Sequence, residues 1–208
     1  MPARRAILLC GQQRALIAAI ARELAATGAQ IIIQTAPGDA TATRRVGRDG
    51  IEFEMIAGEL GGETPSRRLA DAAWRAGRGI EAVIVCPRLP AGRARQGWDA
   101  GLSTALKGPA FLAKELGRRW RRSGGSLIIA IGLASADRPL AAVFRSTLLT
   151  MVDALSRALP AVRVAAVVAD TEADAAEIAR GVARLVTGKP PRSPTVLEIG
   201  GIPGSVSV

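Results

Sequence analysis

RAILLCGQQRALIAAIARELAATGAQIIIQ, residues 5–34, is the stretch whose reading decides the fold. An apolar run, Ala6 to Leu9, meets a turn at Cys10-Gly11-Gln12-Gln13. Leu16, Ile17, Ile20, Leu24 and Ala25 then recur at spacings of three and four, one face of a helix. Gly28 stops that helix and Ile31-Ile32-Ile33 starts a second apolar run. Strand, tight turn, helix, glycine stop, strand is the βαβ unit that opens a doubly wound sheet. The chemistry of such a sheet gathers at the turn, where N–H groups of a helix start face a phosphate. Here the turn holds a single glycine.

The rest of the chain repeats the alternation. Thr35 to Gly50 is a long polar connection with room for a short helix, and Ile51 to Ile56 alternates as a third strand. Thr64-Pro65 marks a helix start, and the helix runs to Gly77. Glu81 to Cys86 reads as a buried fourth strand ended by Pro87. A long helix follows from Trp98 to Arg122, with Gly108-Pro109 inside it as a kink. Ser126 to Ile131 is strand five, Leu140 to Leu159 a helix, Val162 to Val168 strand six. Thr171 to Val186 is a helix with Thr171 as a candidate N-cap, and Thr195 to Ile199 is the last strand. The fold class is therefore α/β: a Rossmann-like, doubly wound parallel sheet with helices on both faces, in a single domain over residues 1–208.

Composition bounds the chemistry. The 208 residues carry a net charge of +10 with no histidine and no tyrosine. Imidazole and phenol acid–base chemistry are thereby removed, along with a Ser-His-Asp triad and any histidine-built metal site. No run reaches the roughly 20 apolar residues that span a bilayer, so no membrane partner is expected. Gln12, Gln13 and Arg14 break the first apolar run too early for a signal peptide. The two cysteines fit a reducing compartment, and a cytoplasmic location is expected. Arg44-Arg45, Arg67-Arg68 and Arg118 to Arg122 are basic clusters scattered along the chain. With few aromatic residues to stack on bases, they read as solvated helix faces and argue against a nucleic-acid partner.

Several segments, in order, resemble the short-chain dehydrogenase/reductase family. Cys10-Gly11-Gln12-Gln13-Arg14-Ala15-Leu16-Ile17 stands where that family has Thr-Gly-x-x-x-Gly-Ile-Gly. Ala82 to Cys86 matches the strand before its Asn-Asn-Ala-Gly motif, and Leu106-Lys107-Gly108 resembles its Asn-Leu-Lys-Gly. Gly124 to Ile129 is similar to the strand that leads to its catalytic serine, and Val162 to Val167 to its Ile-Arg-Val-Asn-Ala-Val strand. Val186-Thr187-Gly188 and Glu198-Ile199-Gly200-Gly201 resemble its last two motifs.

The resemblance implies a reductase fold whose reductase residues are gone. The family's catalytic Asn falls on Ala105, its Ser on Gly132, and its Tyr-x-x-x-Lys on Ala141 and Arg145. Two loop glycines become Ala15 and Ile17, and Thr35 takes the place of the residue that reads the ribose. Gly11, Gln12, Arg14 and Cys86 remain as cofactor-binding candidates, with Arg44 and Arg45 near a 2′-phosphate. On this reading no cofactor is expected, and NAD or NADP is the dinucleotide to test. Ala169-Asp170 runs almost directly into the next helix, so the substrate-covering segment is shortened. Cys10 and Cys86 are either a redox pair at strand ends or small apolar core residues, and the second reading is favoured.

The resemblance also implies a four-helix bundle between subunits. Its candidate interface is Leu102, Leu106, Leu116 and Trp120 on one helix with Leu148, Val152, Leu155 and Leu159 on the other, and the tail 202–208 as a second contact. The function expected is a catalytically inactive structural or regulatory subunit, assembling with itself or with an active paralogue. The alternatives are a nucleotide-sensing regulator, an NAD(P)-dependent oxidoreductase rebuilt on Ser135, Asp137, Arg145 or Thr147, or a polyanion binder with salt-dependent retention on DNA or heparin.

Overall fold

The structure, a computed structural model, describes residues 5–37, 43–47, 50–88, 103–132, 138–169, 174–188 and 195–199. The first half runs β1 (Ala6–Gly11), α1 (Arg14–Ala25), β2 (Gln30–Thr35), β3 (Thr43–Val46), β4 (Glu52–Ala57), α2 (Glu63–Ala76) and β5 (Ala82–Cys86). A π-helical turn (Ser103–Lys107) then enters α3 (Gly108–Trp120), followed by β6 (Gly125–Gly132), α4 (Arg138–Ala158), β7 (Val162–Ala169), α5 (Ala175–Thr187) and β8 (Thr195–Ile199). The sheet order is β3-β4-β2-β1-β5-β6-β7-β8, parallel throughout except that β3 is antiparallel to β4.

Side chains alternate across the central strands, as a pleated strand requires. Leu8 and Cys10 of β1 join the core under α2, α3 and α4. Ile7 and Leu9 join the opposite core, under α1 and α5. Both faces are covered, so β1, β5, β6 and β7 are apolar almost throughout. Trp120 anchors the larger core: its indole N–H donates to the Ile80 carbonyl, and a Cβ on Gly125 would lie 2.1 Å from the ring.

Four expectations are corrected. The connection after β2 holds an antiparallel edge strand, β3, and no helix among its described residues. Helix α2 starts at Glu63 with Gly62 as N-cap, one residue ahead of Thr64. The expected kink at Gly108-Pro109 is a π-helical turn just before them, which accommodates a proline lacking an N–H. The N-cap of α5 is Asp174, whose carboxylate accepts from the Ala176 N–H at 3.3 Å; Thr171 lies outside the described residues. Five residues separate β7 from α5.

Gly11 is the residue the topology cannot exchange. Its φ is +123°, and a Cβ there would stand 2.2 Å from the Cys86 carbonyl oxygen. Gly11→Ala is expected to destabilise the fold by about 3 kcal/mol through strain and forced separation of β1 from β5. Thermal unfolding should then fall by roughly 6–12 °C. An unchanged transition would refute this role.

Candidate functional site

The ends of β1, β2 and β4 surround a cavity of about 800 Å³. Its top is the turn after β1, with Gly11, Gln12 and Arg14, and its apolar wall is built by Ile17, Ala18 and Ala21 of α1 facing Ile33, Phe53 and Met55. Gly58, Glu59 and Leu60 after β4, with Thr104 of the π-helical turn, close the far side. Among the described residues no crossover helix covers β2 and β4, which leaves this room. Where a βαβ unit normally lays a helix over β2 and β4, β3 lies in the plane of the sheet, and among the described helical segments α1 and the π-helical turn flank the cavity.

Gln34 ties the three strand ends together. Its Oε1 accepts from the Gly11 N–H at 3.0 Å, and its Nε2 donates to the Gly58 carbonyl at 2.7 Å. Thr35, the expected ribose reader, donates its hydroxyl to the Ile56 carbonyl at 3.3 Å. The N–H groups of Gln12 and Gln13 both donate to the Cys86 carbonyl, at 3.0 and 3.3 Å. Three N–H groups that a phosphate-binding turn would offer are therefore taken within the chain. Gln13 Nε2 donates to the Pro87 carbonyl, and its Oε1 lies 3.7 Å from where a Cβ on Gly132 would be. Its side chain thus crosses the crevice between β1, β5 and β6, the topological switch point of the sheet.

Of the cofactor-binding candidates, Gly11, Gln12 and Arg14 line the cavity. Cys86 does not: its thiol is fully buried in the core under α1 and α5, and only its carbonyl meets the turn. Cys10 points to the opposite face, and its thiol donates to the Ile84 carbonyl at 3.6 Å. Neighbouring strand ends with opposite side-chain directions cannot form a redox pair, so both thiols are core residues.

The positions that the resemblance matched to reductase residues do not line the cavity. Ala105 is buried in the core, Gly132 faces Gln13, Ala141 packs against the core, and Arg145 is ion-paired to Glu198 of β8. Ser135 and Asp137 lie outside the described residues, and Thr147 donates to the Val143 carbonyl on an exposed helix face. No cluster of three potential metal ligands occurs among the described residues. No helix among them is long and apolar enough to cross a membrane. The cavity fits the nucleotide half of a dinucleotide, with apolar walls and the polar edges of Arg14, Thr35 and Glu59. Beyond the cavity, Gln13 spans the crevice between the strand ends, and the chain has no tyrosine.

The proposed interface residues need the largest revision. Leu116, Trp120, Leu148 and Val152 are fully buried in the chain's own core, because α3 and α4 both turn their apolar stripes to the sheet. Leu106, Leu155 and Leu159 are half-buried against that core, and Leu102 lies outside the described residues. Leu116, Trp120, Leu148 and Val152 hold the fold and are closed to a partner, while Leu106, Leu155 and Leu159 keep part of their surface open. Sequence reading missed Gln34, Phe53, Met55 and Gly58. The switch-point rule pointed toward the strand ends, but the cavity walls depend on β3 lying in the sheet.

Solved structures of the same architecture are numerous. A short-chain dehydrogenase from Mycobacterium smegmatis superimposes with a TM-score of 0.74 at 15% identity, over 96% of this chain and 93% of that one. A double mutant of a Serratia marcescens short-chain dehydrogenase/reductase gives 0.73 at 18%, over 96% and 97%. A Burkholderia cenocepacia short-chain dehydrogenase in complex with NADP gives 0.71 at 19%, over 95% and 96%. No protein-family model and no curated protein matches the sequence. The chain has the short-chain dehydrogenase/reductase fold.

The thiols give this site a pH signature. Burial raises both, with Cys86 adding to the effect on Cys10. An unfolded thiol ionises near pH 8.5, whereas the folded ones stay protonated. The unfolded chain then holds fewer protons than the native one, so stability is intact below about pH 8.5 and falls above it, by about 1.4 kcal/mol per pH unit per thiol. With no tyrosine and three lysines, little else titrates between pH 8.5 and 10. Urea midpoints at pH 7, 9 and 10 should fall, the fall should vanish in Cys10→Ala/Cys86→Ala, and native protein should not react with a thiol reagent at pH 8. Prompt thiol labelling would refute the burial.

Proposed function

We propose that this chain binds a nucleotide of the NADP class without reducing a carbonyl, and acts as a regulatory subunit that pairs with a second copy of itself. The observation that carries this reading is a cavity at the ends of β1, β2 and β4 in a chain that has no phenol and no imidazole. The adenosine half would lie between α1 and the segment Gly58 to Leu60, with Arg14 at the mouth to meet phosphate. Arg14 stays charged and has five donors, so it compensates in part for the N–H groups spent on Cys86. The Burkholderia protein of this fold holds NADP, which supports the ligand class.

The pairing is assigned to the outer side of α4. There Val143 is 64% exposed, one of three large apolar side chains left so open among the described residues. Ala142, Ser146, Thr147 and Thr150 are exposed around it, small and uncharged, and they let two helices approach closely.

Titration with NADP, NAD and 2′,5′-ADP, followed by thermal unfolding, tests the ligand. At 100 times Kd, binding adds about 2.7 kcal/mol, a rise of roughly 5–10 °C. Ala18→Phe, which fills the cavity from an exposed position on α1, should weaken binding at least tenfold. No stabilisation by any of the three would sink the nucleotide reading, and NADPH oxidation by carbonyl compounds would return the chain to the reductases.

Light scattering of Val143→Arg/Thr147→Arg tests the pairing. The wild type should have twice the mass of the variant. A monomeric wild type, or a variant that stays dimeric, would overturn the assignment to α4.

A further inference from the structure

Seven of the chain's ten net positive charges fall on two helices and their ends. Residues 63–78 and 107–122 hold ten basic and three acidic residues, leaving +7 of the total +10. Along the sequence these are separate clusters. In the fold, α2 and α3 lie side by side over the same core. Lys114 Nζ meets Glu63 at 2.6 Å, Arg119 pairs with Asp71, and the Arg119 guanidinium lies 5.6 Å from the centre of the Trp74 ring.

All three acidic residues of this pair are already engaged. Glu63 holds Lys114, Asp71 holds Arg119, and Glu115 lies 3.8 Å from Arg118. The hydrogen bond from Lys114, its charge, and the charges of Arg67 and Arg118 lower the Glu63 carboxyl below the usual carboxylate range. Three cations from two helices therefore converge on one exposed carboxylate. Arg67, Arg68 and Arg75 of α2, with Lys107, Arg121 and Arg122 at the ends of α3, are exposed and make no ion pair among the described residues. Lys107, Lys114, Arg118 and Arg121 succeed one another at spacings of seven, four and three. They form one stripe on the side of α3 away from the buried Leu112 and Leu116. It is about 21 Å long, the axial length of about six base pairs. Crowding of like charge costs stability until an anion neutralises it.

We propose that the α2–α3 face binds the phosphate backbone of duplex DNA without reading its bases. The side chains favour this partner over other polyanions. Among the described residues, the exposed large apolar side chains are Val46, Val143 and Val196, none on these helices, so the face has nothing to insert into a lipid surface. Phe111 and Trp74 are half-buried and Trp120 is fully buried, so no open aromatic ring stacks on single-stranded bases. A flat helix pair lies against outward phosphates of B-form DNA, whereas A-form RNA arranges its backbone around a deep, narrow groove that such a face does not enter. This surface is separate from the nucleotide cavity, and the proposal stands or falls independently of that reading.

The test is fluorescence anisotropy of the full chain with a labelled 24-base-pair duplex of mixed sequence, from 50 to 300 mM salt. With about five phosphates neutralised, affinity should fall about 500-fold between 50 and 200 mM. Arg121→Glu/Arg122→Glu should weaken binding at least tenfold and lower the salt slope by about two. Arg180→Glu/Arg184→Glu, an equal charge change on exposed positions of α5, should cost less than threefold. Equal losses in the two variants would mean net charge alone and overturn the proposal. So would undetectable DNA binding at 50 mM, or tighter binding to duplex RNA or to phosphatidylglycerol vesicles.

Discussion

The carbonyl oxygen of Cys86 holds the working end of this sheet together. It accepts the N–H groups of Gln12 and Gln13, and it can do so because Gly11 brings no Cβ to the 2.2 Å gap beside it. The contact joins β1 to β5 at their C-terminal ends, sets where α1 begins, and places the turn over the switch point. It also explains how a single glycine sustains the fold. Ala15 is exposed and Ile17 packs inward against the sheet, so neither meets another backbone as closely as Gly11 does. The same contact has a chemical consequence. The N–H groups that satisfy Cys86 are withdrawn from any phosphate, and Gly11 gives its own to Gln34. Structural integrity and anion binding draw on the same donors, and here the fold takes them.

A second constraint follows from β3. A parallel crossover needs a return path, and a helix on the sheet face is the usual one. This chain returns through an antiparallel edge strand, which leaves Phe53 and Met55 of β4 half-buried beside α1. The cavity is thus walled on this side by apolar side chains of β2 and β4, Ile33, Phe53 and Met55. Its polar contacts are concentrated at the strand ends, where Gln34 fastens β1, β2 and β4. A ligand there meets a rigid rim and an apolar floor.

The layers of the fold were legible in the sequence because burial on both faces makes strands continuously apolar and helices periodic. That pattern, with the alternation of Ile51 to Ile56, recovered β1, β2 and β4 to β8 and the five α-helices, with boundaries shifted by a few residues. The edge was harder. Thr43 to Val46 is short and polar, and pairing with β4 rather than apolar content makes it a strand. Helix faces were harder still. Apolar periodicity identifies a stripe, but the stripe that faces the sheet and one that faces a partner look alike in sequence. For α3 and α4 the sheet takes it, so Leu116, Trp120, Leu148 and Val152 are core residues. The thiols illustrate the same limit: adjacency of β1 and β5 follows from topology, while the opposite directions of Cys10 and Cys86 follow from register.

Charge and apolar surface divide the outside of this molecule in a way that constrains how it can assemble. A two-fold contact through the outer stripe of α3 would bring two rows of cations face to face, within the roughly 10 Å over which salt at 0.1 M leaves charges coupled. Like charges directly opposed across an interface cost affinity. The outer side of α4 has no such obstacle around Val143, Ser146, Thr147 and Thr150, and the helix's ion pairs, Arg145 with Glu198 and Arg157 with Asp153, are each internally neutral. A contact through α4 would therefore leave the α2–α3 face uncovered. The cavity opens at the strand ends, clear of α4. The cavity, the α2–α3 face and the outer side of α4 are three distinct surfaces on one small sheet.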